Sequence, residues 1–374
     1  MMKNILFIFG TRPEAIKLAP VILAMKASSV FRPFVCNTEQ QKELSSQTLG
    51  YFNLEADYKL DIMRPNHTLS DLNARLLLAL NDILKKESFD AVVVQGDTMS
   101  VFAGACAAFY NRIPVCHIEA GLRSFDVAEP FPEEALRQMV SRISAIHFAP
   151  TEKSRQNLIN ENVDAEKIFV TGNTVIDAFD FISQETRRKA RQSCLDMGIC
   201  LDSNPVLITA HRRENHGSRL DQILHAVKVL SEKFKGKQFV IPVHPNPNVK
   251  GRMHEVLSGM GNVVLTEPLD YPVLVELMRV AHVILTDSGG IQEEAPAFCV
   301  PLLVMRYETE RTEGIAAGFA KLVGADTDRI VQEACKILSV DYALSRIRRR
   351  TNPYGDGKSS TRIMDRLNSF LKKG

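Results

Sequence analysis

Polar and ionisable residues of this 374-residue chain gather in six short clusters, each directly after an apolar run. The first half holds GTRPE at 10–14, QGDT at 95–98 and HIEAGLR at 117–123; the second holds HRREN at 211–215, HPNP at 244–247 and DSGGIQEE at 287–294. Asp97 and Glu119 end two of these runs, and Glu133 follows a Pro-Phe-Pro loop, so three carboxylates are expected to converge on one small space. Paired carboxylates are the usual equipment for moving protons on a sugar. Glu134 reads instead as a cap or salt-bridge partner. His211, beside Arg212, adds a donor that can carry charge, whereas His117, His244 and His282 read as packing or orienting residues.

Ser288, Gly289 and Gly290 form a small-residue turn entering a helix, which leaves free backbone N–H groups and a positive dipole end for a phosphate or pyrophosphate. A serine N-cap with glycines for close packing reads the same way. No Gly-Lys-Ser/Thr follows and no G-x-G-x-x-G occurs, which disfavours nicotinamide chemistry. Arg12 and Lys17 sit near the start of another expected helix, where cations oppose the dipole, so both are expected to serve an anionic ligand. No two histidines and a carboxylate share a helix face at i, i+4 spacing. No metal site is expected, since Arg12, Lys17, His211 and Arg311 supply the charge a pyrophosphate needs.

Short β-rich runs alternating with longer helical patterns must position these clusters. Strands are expected at 4–9, 34–37, 91–94, 114–118, 145–148 and 168–171, then at 206–209, 239–243, 263–265, 282–285 and 301–305. Their continuous apolar character predicts burial on both faces of parallel sheets. The fold class is therefore α/β, with two doubly wound Rossmann-like domains facing across a cleft, because ligands of open parallel sheets bind beyond the carboxyl ends of the strands. The expected domains are 1–175 and 176–357, the junction falling near the polar segment 179–200. After the turn-rich TNPYGDGK at 351–358, a last helix at 360–371 is expected to cross back to the first domain within 358–374.

Composition narrows the class of protein. A net charge of +2 leaves no field for nucleic acid, and the basic run at 346–350 reads as a solvated helix end. Seven cysteines without a C-x-x-C pair suit a reducing compartment. No run approaches the roughly 20 apolar residues that span a bilayer, so a cytoplasmic protein without membrane contact is expected.

Taken together, GTRPEAIKLAP, QGDT, HIEAGLRS, FPEEALR, TGNTVIDA, HRREN, DSGGIQEEAP, ERTEG and NPYGDGKSS resemble the non-hydrolysing UDP-N-acetylglucosamine 2-epimerases nearly end to end. The resemblance implies a fold like that of the two-domain GT-B glycosyltransferases, reversible conversion of UDP-GlcNAc to UDP-ManNAc, a homodimer, and no redox cofactor. It implies that UDP leaves C1 as the C2 proton is lost, giving a 2-acetamidoglucal, and then adds back after reprotonation on the other face. Asp97, Glu119 and Glu133 match the family's candidate acid/base and oxocarbenium-stabilising carboxylates, and His211 matches the histidine beside the diphosphate. Arg12, Lys17, Ser288, Gly289, Gly290 and Arg311 match nucleotide and phosphate contacts, and Glu294 the acid that holds the ribose hydroxyls. Many bacterial members also take a second UDP-GlcNAc as an activator; Gln40, Arg212 and His244 are compatible with such a site. The segment TEQQKE at 38–43 and the loop NHT at 66–68 depart from its usual lining. The nearest rival readings are a hydrolysing epimerase that releases UDP and ManNAc, a GT-B glycosyltransferase, and a nucleotide-sugar-binding regulator.

Overall fold

Strands buried on both faces need helices on both sides. The structure, a computed structural model describing residues 2–244, 246–339 and 350–372, builds them into two all-parallel sheets. The chain divides into two Rossmann-like units, Met1–Phe181 with Gly355–Gly374, and Ile182–Tyr354.

The first unit runs β1 (Lys3–Phe9), α1 (Arg12–Lys26), β2 (Phe31–Asn37), α2 (Lys42–Tyr51), β3 (Tyr58–Lys59), α3 (Leu69–Lys86), β4 (Ala91–Gln95), α4 (Met99–Tyr110), β5 (Val115–Ile118), α5 (Glu133–Ile143), β6 (Ile146–Ala149), α6 (Glu152–Asn160), β7 (Ile168–Val170) and α7 (Thr174–Phe181). Its sheet has the order β3-β2-β1-β4-β5-β6-β7, so the winding reverses between β1 and β4. Loops diverge at such a switch point and leave a crevice. Leu6, Ile8, Val92 and Val94 bury one sheet face against Leu72, Leu76 and Leu80 of α3, whose four-residue spacing makes one apolar stripe. Thr68 and Asp71 close a reciprocal capping box at the start of that helix.

The second unit runs α8 (Gln184–Asp196), β8 (Val206–Thr209), α9 (Ser218–Lys233), β9 (Phe239–Pro242), α10 (Pro247–Leu257), β10 (Val263–Thr266), α11 (Tyr271–Val280), β11 (Val283–Thr286), α12 (Gly289–Glu294), β12 (Leu302–Val304), α13 (Thr312–Ala316), β13 (Ala320–Leu322) and α14 (Thr327–Leu338). Its order is β10-β9-β8-β11-β12-β13, with the reversal between β8 and β11. The last helix, α15 (Ser359–Leu371), belongs to the first unit. There Asp177 of α7 accepts the Ser359 and Ser360 amides at 3.2 and 2.7 Å, a cap supplied from far along the sequence.

The sequence places strands at all these sites except β3, only two residues long, and β13, an edge strand whose central, exposed Lys321 interrupts the apolar run. β2 starts before Pro33; β3 pairs only with Cys36 and Asn37, leaving β2 an open edge where a proline is tolerated. The first unit extends through α7, beyond residue 175, because α7 packs on α1 and α15. Of the basic run at 346–350, all but Arg350 lies outside the described residues; Arg350 donates to the Ala317 carbonyl at 2.8 Å. Among the described residues, no helix is long and apolar enough to cross a membrane.

Candidate active site

In the first unit, the clusters after β1 and β4 lie at the switch point and are tied together. The buried Glu14 carboxylate accepts the Gly10 and Thr11 amides at 2.8 and 2.9 Å and the Thr98 hydroxyl, which itself caps α4. Burial pushes the Glu14 carboxyl up to about 7 against these bonds. Gly10 is required here, since a Cβ would lie 2.2 Å from Thr38 Oγ1 and 2.5 Å from Ser100 Oγ. Gln40 closes the same corner, accepting from Ser100 Oγ at 2.9 Å.

β4 and β5 are neighbours with Gln95 beside Ile118, so Asp97 and Glu119 leave adjacent strand ends. Glu119 has a left-handed backbone, φ 64°, an uncommon state for a residue with a side chain. Its carboxylate is held in that position: Lys17 Nζ reaches both oxygens, at 2.7 and 2.8 Å, and the Gln95 amide donates to one. Lys17, expected at the nucleotide, thus lies against Glu119, and from the second turn of α1 it escapes the dipole conflict assumed for it. Arg12 opens α1 half-buried, its amide bonded to Gln41 Oε1 at 3.0 Å.

Glu133 is the first residue of α5, and Arg137, one turn on, donates to Asp97 through Nε at 3.1 Å and through Nη2 at 2.5 Å. The same guanidinium reaches Glu134 at 3.0 Å. Glu134 is buried, yet amides of Ser124 and Gln138 and the Arg137 charge outweigh burial and hold its carboxyl below the usual range. Asp97, Glu119 and the start of α5 are therefore brought together by Gln95, Lys17 and Arg137. The Glu133 carboxylate has no ion-pair partner among the described residues, which leaves it the least constrained of the three. His117 Nε2 meets the Gly96 carbonyl at 2.8 Å, steadying the loop that bears Asp97; burial pushes this imidazole down to about 4.

In the second unit, the clusters after β8 and β11 again meet at the switch point. Asp287, fully buried, accepts the amides of His211 and Arg212, each at 2.9 Å, and the Asn215 side chain at 3.0 Å, and one of its oxygens lies 3.1 Å from His211 Nδ1. His244 stacks on His211 with ring centroids 6.1 Å apart. Burial and the neighbouring His211 push the His244 imidazole down.

Ser288 occupies the N-cap position of α12 without a side-chain cap bond, and Gly289 opens the helix. A Cβ on Gly289 would lie 3.0 Å from Arg311 Cζ, so the guanidinium covers the turn. Glu293 and Glu310 hold that guanidinium at 3.0 and 3.1 Å. Tyr354 OH donates to the Arg311 carbonyl at 3.3 Å. Glu294 ends α12, its Oε1 3.5 Å from where a Gly290 Cβ would stand. An arginine over a glycine turn beside a positioned histidine is suited to a diphosphate. Among the described residues, no group of three or more histidines, cysteines or carboxylates is arranged to hold a metal ion.

Residues 23–368 match the protein family described as UDP-N-acetylglucosamine 2-epimerase. The chain belongs to that family. It is 45% identical to the UDP-N-acetylglucosamine 2-epimerase of Salmonella typhimurium over 98% of this chain and 99% of the other. The solved UDP-GlcNAc 2-epimerase of Neisseria meningitidis, bound to UDP-GlcNAc, is 43% identical with TM-score 0.89, covering 98% of this chain and all of that one. Staphylococcus aureus MnaA, solved with UDP, is 39% identical with TM-score 0.86, over 99% and 97%. The two-domain Rossmann-like architecture is thus that of the 2-epimerase family.

Gln95, Arg137, Asp287 and Glu293 support the expected site residues and were not singled out in the sequence. All but Arg137 lie inside the strand-end clusters, where a polar residue next to a buried strand is a signal; Arg137, on α5, closes the FPEEALR segment at 131–137.

Proposed function

We propose that this chain interconverts UDP-GlcNAc and UDP-ManNAc by inverting C2, without net hydrolysis. The C2 hydrogen is not next to a carbonyl, so its removal is coupled to departure of the neighbouring group. A carboxylate takes the C2 proton while the C1–O bond breaks and its electron pair leaves with UDP, giving 2-acetamidoglucal. A UDP oxygen then re-forms the bond to C1 as a second carboxyl delivers a proton to the opposite face of C2. What supports this reading is that Asp97 and Glu119 leave neighbouring strand ends, held by Arg137 and by Lys17 and Gln95, with Glu133 opening the helix that bears Arg137, in a family whose Neisseria member was solved with UDP-GlcNAc.

In the same reading His211 and Arg12 meet the diphosphate, Arg311 and the amides of Ser288, Gly289 and Gly290 hold it, and Glu294 takes the ribose hydroxyls. The cations and amides among these groups oppose the negative charge that grows on departing UDP. Gln40, Arg212 and His244 are assigned to a second, activating UDP-GlcNAc. The product supplies ManNAc for a cell-surface polysaccharide such as a capsule, from the cytoplasm. The enzyme acts as a homodimer, a reading supported by exposed Leu78, Phe109 and Tyr110 on the packed helices α3 and α4.

Incubation with UDP-GlcNAc alone, followed by proton NMR, tests the activity. UDP-ManNAc in equilibrium with substrate is expected; free ManNAc with UDP would favour a hydrolysing enzyme, and no change would reject both.

A further inference from the structure

The reading above gives His211 a place at the diphosphate but leaves open which ring nitrogen works and in what form. Asp287 decides both by geometry. Its carboxylate is 0% exposed and already accepts two backbone amides and the Asn215 side chain, and these bonds fix it where it meets His211 Nδ1 at 3.1 Å. A carboxylate oxygen has no hydrogen to offer and at that distance would repel a bare lone pair, so the approach favours hydrogen on Nδ1. The His211 side chain keeps 38% exposure, which leaves Nε2 as the outward nitrogen.

We propose that Asp287 is a positioning residue that fixes His211 as the Nδ1–H tautomer and so makes Nε2 the nitrogen that faces the diphosphate. In the neutral ring, Nε2 then holds a lone pair, which repels a phosphate oxygen. His211 therefore serves departing UDP only as imidazolium, donating Nε2–H in a charge-assisted bond, with Asp287 bearing the complementary charge behind it. The groups facing the ring are Asp287 from the turn after β11 and His244 from the turn after β9; His216, from the same loop as His211, acts on His244.

The neighbouring ring supplies an internal contrast. His244 Nδ1 accepts the Asn246 amide at 3.2 Å, so its neutral form carries hydrogen on Nε2. Two imidazoles stacked 17° from parallel thus have opposite tautomers.

The inference rests on the proposed role of His211, but its first test does not. In protein carrying ¹⁵N-labelled histidine, two-bond nitrogen–proton spectra at alkaline pH, assigned with His211→Gln and His244→Gln, should show Nδ1–H for His211 and Nε2–H for His244. An Nε2–H tautomer at His211 would overturn the inference, even in an active epimerase. Absence of epimerase activity with the expected tautomer would instead sink the functional reading.

Activity then separates positioning from mere structural support. Asp287→Asn and His211→Gln should each lower kcat by roughly 100-fold, and the double variant by scarcely more than either, because the effects pass through one ring. Losses that multiply to about 10⁴-fold would show independent roles and contradict the inference. If Asp287→Asn does not fold, the wild-type spectrum decides alone.

Discussion

Lys17 Nζ bridges both carboxylate oxygens of Glu119, at 2.7 and 2.8 Å, with the two side chains only 12% and 7% exposed. A pair so enclosed is fixed in geometry, and removing one partner strands the other. Lys17→Met is expected to lower kcat by roughly 100-fold while UDP affinity stays within about three-fold. Calorimetry with UDP beside steady-state rates separates the two quantities. A large loss of UDP affinity at near-normal kcat would return Lys17 to the diphosphate.

The three carboxylates should differ from their neighbour in their response to neutralisation. Asp97→Asn, Glu119→Gln and Glu133→Gln are each expected to slow turnover by roughly 100-fold or more. Glu134→Gln should mainly affect stability, because Glu134 is 0% exposed and bonded to Ser124, Arg137 and Gln138. Near-normal rates in a folded variant would remove that carboxylate from the mechanism.

Arg311 is held over Gly289 by Glu293 and Glu310. Arg311→Ala is expected to weaken UDP binding by roughly 10- to 100-fold, as loss of a charge-assisted contact would. Unchanged affinity by calorimetry would reject the contact.

Glu14 gives a pH signature of definite sign. Its carboxyl is pushed up from 4.5 to about 7 by burial, so the folded protein binds a proton more tightly than the unfolded chain does. That stabilisation is complete below pH 4.5 and is lost as pH rises to about 7. Glu14→Gln, which cannot titrate, should gain on the wild type over this window by up to about 3 kcal/mol. Denaturant unfolding of both proteins across the window measures the difference. The paired comparison also removes the opposing contribution of His117, whose lowered value makes the fold lose stability as pH falls from 6.5 to about 4. A difference that stays flat or shrinks with rising pH would contradict the assignment.

Much of this architecture is legible in the sequence because parallel strands advertise burial and their ends advertise chemistry. The runs that become β1, β4, β8 and β11 are continuous and apolar, and the polar clusters after them land at the two switch points. What periodicity cannot carry is strand order and pairing between distant clusters. Nothing local to Lys17 says that it meets Glu119, because that contact needs β1, β4 and β5 to be ordered side by side. The same holds for Asp287 under His211, which depends on β8 lying next to β11. Arg137 is hidden for another reason: on α5 its charge is indistinguishable by type from the solvated Arg142 until Asp97 is placed opposite it.

The most direct test of the central claim is turnover of UDP-GlcNAc in deuterated water, with no added nucleotide cofactor, read by NMR and mass spectrometry at C2. Proton removal and return through the glucal predict one deuterium at C2 of UDP-ManNAc, with the label also entering recovered UDP-GlcNAc. UDP-ManNAc formed with its original C2 hydrogen intact would contradict the account.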